Sequence, residues 1–408
     1  MIGLVYWLLL DPLQSAYGFY GVTRNDVVTA FLSIGLMAIA VWIGAAGKSP
    51  RPPKIIRAAA DAVVRDSQVI VAMSICFFLG TFYYIWSAGF DLVNVLINLG
   101  KPRFAAVWDP GALGDWTSFL LQLTYFGFPL PALAVILAGR RGWLSGSGLL
   151  GIAFSLVVTL LQAQGGGRRI IGMLAGSALM CWLLLQQRLG AKQVFAAALT
   201  CAAILAGLQL VLITRNDGFA ALFSDKPPQN TETVLRVDDN LFRLTQIAML
   251  FPAVHPYVGL LQVEFVVVRP IPRAIWPGKP VDPGYDLAAL TGVQGATLTT
   301  SIVGELYASF GYLAVAIGGI VMGRIGNSFN SFLGGRSRDT KAIVYALGVM
   351  TLFVALRSMT ELVLMSYGLM SWCIVVGMLK KPAATNLSLG GEHELARHWT
   401  KRRSSRSM

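Results

Sequence analysis

The chain has 408 residues, of which 55% are hydrophobic and only 13% are charged. A soluble protein of this length needs more polar surface than this composition supplies, so the protein is expected to lie in a membrane. The net charge of +13 comes from loops between apolar segments, which indicates contact with lipid headgroups rather than with nucleic acid.

Apolar segments of the length that a membrane span needs, about 20 residues, recur along the chain. In chain order they are Met1–Leu10, Val27–Ala46, Val69–Phe90, Ser118–Ala138, Leu144–Ala163, Ile170–Gln187, Val194–Ile213, Leu298–Gly323, Ala342–Leu356 and Met359–Leu379. Met1–Leu10 is short, and Leu244–Val268, which polar residues and prolines interrupt, is expected to lie along the interface or to add a broken span. The predicted fold class is all-α, a polytopic integral membrane protein with about 10 transmembrane helices (range about 9–12).

Basic residues in short loops indicate which side of the membrane is cytoplasmic. If the spans alternate, 20 of the 33 basic residues fall on one side, in the segments 48–65, 140–141, 188–192, 324–341 and 380–406. The long polar segment from Thr214 to about Thr297 is then extracytoplasmic. We predict a single transmembrane domain over residues 1–379 that includes this loop, followed by a basic cytoplasmic tail, 380–408, without ordered structure.

A proline-rich stretch inside this loop, RPIPRAIWPGKP from Arg269 to Pro280, is the most informative motif. Proline fixes φ and removes a backbone donor, so the stretch is predicted to be stiff and non-helical. It holds Arg269, Arg273 and Lys279 beside Trp276. Cations on a stiff backbone next to a bilayer indicate a binding site for an anion.

Further arginines lie at or near the ends of predicted spans on the same side. Arg168 and Arg169 follow three glycines, and Arg215 and Arg357 flank other spans. A guanidinium stays charged and offers a planar fork of donors that matches phosphate oxygens, so converging arginines are able to hold a pyrophosphate without a metal. Each single arginine is also explained as a headgroup anchor.

Glu305 is the leading candidate for a proton acceptor, because a carboxylate in an apolar segment is costly and is a functional candidate by default. Its structural alternative is a buried ion pair with Arg273 or Arg357. His255 is a weaker candidate that is also explained as an interfacial residue. Arg357 and Glu361, four residues apart, are expected to meet on one helix in a mainly structural pair.

Several motifs are absent from the sequence, and their absence narrows the function. There is no HExxH, no clustered His and Cys, no P-loop, and no cytoplasmic DxD for a metal-bound nucleotide sugar. We therefore expect no metal and no cofactor. A zinc hydrolase and an ATP-driven pump are disfavoured, and a donor carried by a lipid fits better.

RPIPRAIWPGKP, followed after a short gap by GELYASFGYLAVAIGG, resembles the Wzy-type O-antigen polymerases, or oligosaccharide repeat unit polymerases, of bacterial inner membranes. The resemblance implies a GT-C-like glycosyltransferase architecture. It also implies transfer of a growing glycan from undecaprenyl pyrophosphate to an incoming lipid-linked repeat unit on the periplasmic face. The implied partners are that lipid-linked oligosaccharide, membrane lipids, a chain-length regulator and a flippase.

Carried onto this sequence, the resemblance assigns roles to the residues named above. Arg269, Arg273 and Lys279 neutralise the leaving pyrophosphate, and Arg168, Arg169, Arg215 or Arg357 complete the cradle. Glu305 or His255 orients or deprotonates the acceptor hydroxyl, and Trp276 and Tyr307 offer surfaces on which sugars stack, although both residue types also belong to interfacial belts.

Two other functions use the same kind of site. An O-antigen ligase moves the same glycan onto lipid A core, and the sequence separates it poorly from a polymerase. A flippase or transporter binds the same lipid pyrophosphate without chemistry, but it is expected to show charges in mid-span and related halves, which we do not find in the sequence.

Overall fold

The computed structural model describes residues 21–102, 105–108, 116–164, 167–186, 188–214, 217–220, 240–271, 273, 275–280, 282–293, 298–333 and 339–379. Within these ranges the regular structure is entirely helical, which confirms the all-α prediction. The predicted span Met1–Leu10, the candidate ligand Arg215 and the tail 380–408 lie outside the described residues.

The described helices, numbered along the chain, differ widely in length. They are α1 Arg24–Ala45, α2 Lys54–Ala60, α3 Asp66–Ser87, α4 Leu92–Leu99, α5 Trp116–Leu121, α6 Leu130–Arg141, α7 Gly146–Gln164, α8 Arg168–Leu185, α9 Ala191–Thr214, α10 Asn240–Leu250, α11 Leu261–Val268, α12 Leu287–Leu290, α13 Ser301–Phe310, α14 Tyr312–Asn330, α15 Asp339–Ala355 and α16 Met359–Leu379. A 3₁₀ helix, Gln122–Gly127, joins α5 to α6.

Among the described residues, eight helical segments are long and apolar enough to cross a membrane, so the chain is a multi-pass membrane protein. They are Arg24–Ala45, Asp66–Ser87, Phe119–Arg141, Gly146–Gln164, Arg168–Leu185, Ala191–Thr214, Tyr312–Asn330 and Met359–Leu379. Helix α15 covers the predicted span Ala342–Leu356 but, with 17 residues, is shorter than all eight. The stretch Leu244–Val268 forms α10 and α11, and each of these is too short to cross a bilayer.

The predicted span Leu298–Gly323 was wrong in its boundaries, because Gly311 divides it into α13 and α14. Gly311 has φ +62° and ψ −145°, a conformation that residues with a Cβ rarely adopt. The crossing segment is therefore α14 alone, Tyr312–Asn330. Glu305 consequently lies on α13, a short helix outside the crossing segment.

The packing of the bundle places its spans in different environments. The segment Phe119–Arg141 is the most enclosed of the eight, with 67% of its apolar stretch buried inside the protein. In α9 only 6% of the corresponding stretch is buried, so this helix is mostly available to lipid. A continuous apolar core joins α3, α6, α8, α15 and α16. This arrangement is typical of membrane bundles, in which van der Waals packing rather than burial from water holds helices together.

Short connections between α6, α7, α8 and α9 make neighbouring helices antiparallel, so the two ends of the bundle can be told apart. One end, which we call the basic end, carries an ion cluster. There Arg140 contacts both Asp66 and Asp339, and Arg141 donates from Nε to Asp66 at 2.8 Å. The starts of α8 and α16 lie at the other end, which we call the loop end.

Helices α1 and α14 run parallel and approach each other closely along a line of small residues. A Cβ on Gly319 would meet the Cβ of Ala40 and the carbonyl oxygen of Met37, and a Cβ on Gly323 would overlap the carbonyl oxygen of Val41. Gly44 on α1 faces Ile320 in the same way. The small-xxx-small spacing of Gly319 and Gly323 is thus used for helix contact.

We expect Gly323→Ala to separate α1 from α14, because the added methyl has no space against the Val41 carbonyl. Overpacking of this kind costs about 1–3 kcal/mol. The measurement is the midpoint of heat-induced aggregation of the detergent-solubilised protein. Gly326→Ala is the matched control on the same helix, since its Cβ would make only an ordinary contact of 3.7 Å with Leu352. Equal midpoints for the two variants would contradict this account of the packing.

Candidate functional site

Glu305 lies at the loop end, buried on α13, where it holds the start of α16. Its Oε1 accepts a hydrogen bond from Ser358 Oγ at 2.6 Å, and its Oε2 accepts one from the backbone N–H of Met359 at 2.6 Å. The first N–H groups of a helix have no partner within the helix, so a carboxylate placed there caps it and faces the positive end of its dipole. These donors are neutral, in contrast to the predicted ion pair of Glu305 with Arg273 or Arg357.

Glu361, in the first turn of α16, forms an ion pair with the first turn of α8. Arg169 Nη1 lies 2.8 Å from Glu361 Oε1, and the Glu361 side chain is only 6% exposed. The other carboxylate oxygen, Oε2, and Arg169 Nε are both buried without a hydrogen-bond partner in the structure. A buried carboxylate oxygen of this kind is a polar group that the folded chain by itself leaves unsatisfied.

The expected pairing of Glu361 with Arg357 on one helix has to be corrected. Helix α15 ends at Ala355 and α16 begins at Met359, so Arg357 lies in the turn between them rather than one helical turn before Glu361. Arg357 donates from Nε to Thr299 Oγ1 at 3.4 Å. The four-residue spacing therefore does not place the two side chains on one helical face.

The proline-rich loop is braced by two of its own cations. Lys279 Nζ donates to the carbonyl oxygens of Arg269 and Ile271, both at 2.8 Å, and Arg273 Nη2 donates to that of Pro280 at 2.8 Å. Lys279 is only 7% exposed. Burial, followed by the charges of Arg269 and Arg273, lowers the pKa of Lys279 below its ordinary value.

Arg269 is the cation of this loop that is directed toward the helix bundle. Its guanidinium lies over the Phe265 ring at 5.4 Å and within electrostatic range of the hydroxyls of Tyr125 and Tyr367. The Tyr125 and Tyr367 rings contact each other at 5.1 Å. A guanidinium held by an aromatic face keeps its edge donors available to a ligand.

These contacts bring two cations and two carboxylates together, and we call Arg169, Arg269, Glu305 and Glu361 the loop-end charge cluster. Tyr125 lies within electrostatic range of Glu361, Arg169 and Arg269, and Glu305 lies within range of Glu361. The four residues come from α8, the end of α11, α13 and α16. Their arrangement offers cations for an anionic group next to a carboxylate that is able to accept a proton.

Other predicted site residues lie elsewhere or at the margin of this cluster. Tyr307 is two residues beyond Glu305, about 200° around the helix, and packs against Tyr257 and Tyr312. Trp276 is 39% exposed near the tip of the loop, beside exposed Ile275. Arg168 precedes Arg169 and is half-buried.

Among the described residues, the contacts of His255 are with Phe251 and Pro256 and not with Glu305 or Glu361. Its ring lies 5.1 Å from that of Phe251, and its Nδ1 is 2.7 Å from the carbonyl oxygen of Pro256. A carbonyl only accepts hydrogen bonds, so Nδ1 carries a proton in this contact. The predicted roles of Arg168, Trp276, Tyr307, His255 and Lys279 in substrate binding stay predictions.

Neither Tyr125 nor Tyr367 was predicted as a site residue, and the predicted partner of Glu361 was Arg357 rather than Arg169. Tyr125 lies in the 3₁₀ helix, and Gln122, Thr124 and the following Gly127 and Pro129 are local signals that this part of the span is irregular. The pairing of Arg169 with Glu361 joins residues far apart in the chain, and no periodicity or spacing indicates it.

No family model, curated protein or solved structure gives a significant match to this chain.

We expect Glu305→Ala to destabilise the start of α16, because the Ser358 hydroxyl and the Met359 N–H both lose their acceptor. Two buried hydrogen bonds to a charged acceptor contribute on the order of 3–6 kcal/mol together. The loss should appear as a lower thermal midpoint and a smaller yield of folded protein. Glu305→Gln retains one acceptor oxygen and should fall between. The exposed Glu264→Ala is the control, and a midpoint of Glu305→Ala equal to it would argue against the cap.

Lys279→Met should loosen the proline-rich loop while preserving the buried methylene packing of the side chain. Two hydrogen bonds of about 1 kcal/mol each are lost, so opening of the loop should increase about tenfold or more. The measurement is the rate of tryptic cleavage after Arg273, followed by mass spectrometry on purified protein. Lys279→Arg keeps donors near the same carbonyls and serves as control. An unchanged cleavage rate in Lys279→Met would contradict the bracing role.

Proposed function

We propose that the protein is a metal-independent glycosyltransferase of the bacterial inner membrane, which takes a growing glycan from undecaprenyl pyrophosphate. The observation that carries the proposal is the loop-end charge cluster. Arg269, from the proline-rich loop, and Arg169, from the start of α8, lie within electrostatic range of the same tyrosine, Tyr125, and Arg169 pairs with Glu361. The two motifs that contribute Arg269 and Glu305 are those that resemble repeat unit polymerases.

The chemistry of the cluster supports a pyrophosphate as the anion. Charge builds on the leaving pyrophosphate as the bond to the sugar breaks, so fixed cations in a site shielded from water stabilise the transition state more than the ground state. The guanidinium of Arg269 is held on Phe265 and does not have to reorganise during the reaction. The braces from Lys279 and Arg273 fix the backbone that carries it.

The surroundings of the cluster support a donor carried by a lipid. The tip of the proline-rich loop exposes Ile275 (74%) and Trp276 (39%), residues of the kind that anchor a segment at the membrane interface. A polyprenyl chain is able to run along lipid-facing helices while its pyrophosphate reaches Arg269. Under this proposal the loop end faces the periplasm, opposite the basic end with Arg140 and Arg141.

Transfer to another lipid-linked repeat unit, rather than to lipid A core, is the part of the proposal that rests on the resemblance of the two motifs. A deletion strain separates these acceptors. Loss of a polymerase should leave lipid A core capped with a single repeat unit, whereas loss of a ligase should leave it bare. If the deletion strain shows neither of these lipid A core phenotypes and the purified protein only moves the lipid-linked oligosaccharide across the membrane, the chain is a transporter.

We expect Arg269→Ala to abolish chain extension, because the variant lacks the cation that stabilises the leaving pyrophosphate. The protein should still insert and accumulate, since the contact described for this guanidinium is with the Phe265 ring. The assay is lengthening of a lipid-linked repeat unit by purified protein, read by gel electrophoresis. Removal of one such electrostatic contact costs about 10²–10³ in rate. Arg324→Ala, on α14 toward the basic end, is the control and should leave extension intact. Normal long glycans from Arg269→Ala would defeat the proposal.

A further inference from the structure

We propose that Glu361, and not Glu305, accepts the proton of the acceptor hydroxyl, an inference that rests on the proposed transferase function. The two carboxylates lie within electrostatic range of each other at the loop end, but their oxygens are occupied differently. A proton acceptor needs a lone pair that a substrate hydroxyl is able to reach. The hydrogen bonds of the two residues therefore decide between them.

Both carboxylate oxygens of Glu305 already accept a hydrogen bond from the protein. Its hydrogen bonds to Ser358 Oγ and Met359 N are each 2.6 Å long, and α16 depends on them for its first turn. Moving this carboxylate onto a substrate would uncap a membrane-spanning helix. Glu305 is thus a positioning residue, because it fixes the start of the helix on which Glu361 lies two residues after Met359.

Glu361 has one committed oxygen and one unsatisfied oxygen. Oε1 pairs with Arg169 at 2.8 Å, whereas Oε2 is buried and receives no hydrogen bond in the structure. Leaving a buried acceptor unsatisfied costs about 1–3 kcal/mol, and more for a charged group. Because this oxygen is closed to solvent in the ligand-free protein, a sugar hydroxyl reaches it only when binding displaces a neighbouring group, and the hydroxyl is then a donor that satisfies the oxygen. Binding of the acceptor removes this penalty, so relief of the penalty adds to the binding free energy of the acceptor.

The neighbours of Glu361 suit a base beside a leaving anion. Arg169 compensates its negative charge, which the nearby Glu305 would otherwise oppose. Tyr125 is within electrostatic range of both Glu361 and Arg269, so the carboxylate and the pyrophosphate-binding cation flank one region. An acceptor hydroxyl next to Glu361 and a leaving group held by Arg269 would then share this region.

Glycosyl transfer at this site conserves atoms and electrons. The acceptor oxygen forms a bond to the anomeric carbon of the donor sugar while the bond from that carbon to the phosphate oxygen breaks. The bonding electron pair leaves with the pyrophosphate, which Arg269 stabilises. The proton of the acceptor hydroxyl moves to Glu361 Oε2 and later passes to the released pyrophosphate or to water. No metal, oxidant or reductant enters the step.

The test compares Glu361→Gln with Glu305→Gln in the lengthening assay. Glu361→Gln keeps an oxygen for Arg169 but cannot take a proton, so we expect it to accumulate and to lose at least about 100-fold in kcat. In the wild type, kcat should fall toward acidic pH as the base becomes protonated. That acidic limb should persist in Glu305→Gln, whose rate per folded molecule is compared with the exposed control Glu264→Gln.

A second variant protects the test against a misfolded protein. Glu361→Ala removes the carboxylate, and added formate should restore part of the lost rate, because a small carboxylate is able to occupy the vacated position and take the proton. Glu361 in a purely structural ion pair with Arg169 would not take up the proton of the acceptor, so formate would not restore turnover in Glu361→Ala.

The outcomes separate this inference from the proposed function. Full activity of Glu361→Gln, or a wild-type kcat without an acidic limb, overturns the assignment of Glu361, while an inactive Arg269→Ala in the same assay leaves the transferase proposal standing. Loss of the acidic limb in Glu305→Gln instead would return the role to Glu305. Wild-type protein that never lengthens a lipid-linked repeat unit defeats both.

Discussion

The hydrogen bonds from Ser358 and Met359 to Glu305 are the interaction on which the loop end depends. They tie α13 to the start of α16, and the start of α16 determines where Glu361 meets Arg169. Near a bilayer the alternative to these bonds is a carboxylate without solvent or partner, which is costly. The same bonds therefore cap a helix, bury a charge and position the cluster.

The second constraint is that the three cations of the proline-rich loop have different roles. Arg269, Arg273 and Lys279 repel one another, and the lowered pKa of Lys279 reflects this repulsion in addition to burial. The loop tolerates the repulsion because Lys279 and Arg273 are bound by backbone carbonyls. Arg269 alone is left directed toward the bundle, on an aromatic support. A loop in which Arg273 and Lys279 hold the backbone and Arg269 faces the ligand is stiffer than a loop with three mobile cations.

Much of the fold was predictable because hydropathy is a local property. Long apolar runs such as Ala191–Thr214 are long enough to span a bilayer and form helices, since a backbone in lipid has to satisfy its own hydrogen bonds. The small-xxx-small spacing of Gly319 and Gly323, where α1 and α14 approach closely, is likewise a local pattern. The division of Leu298–Gly323 at Gly311 was not predictable, because glycine is frequent in apolar helices and its φ depends on the packing around it.

For the site, the residue types could be predicted from the sequence: a stiff loop with Arg269 at its start and rare carboxylates beside the apolar segments of a membrane protein. The partners of these residues depend on how the helices pack. The tertiary structure paired Glu361 with Arg169, made Glu305 the cap of α16 and turned Lys279 into a brace. Composition and spacing report what each segment prefers on its own. The choice among several cations for one buried carboxylate depends on distances between segments remote in the chain, and these distances exist only after the helices have packed.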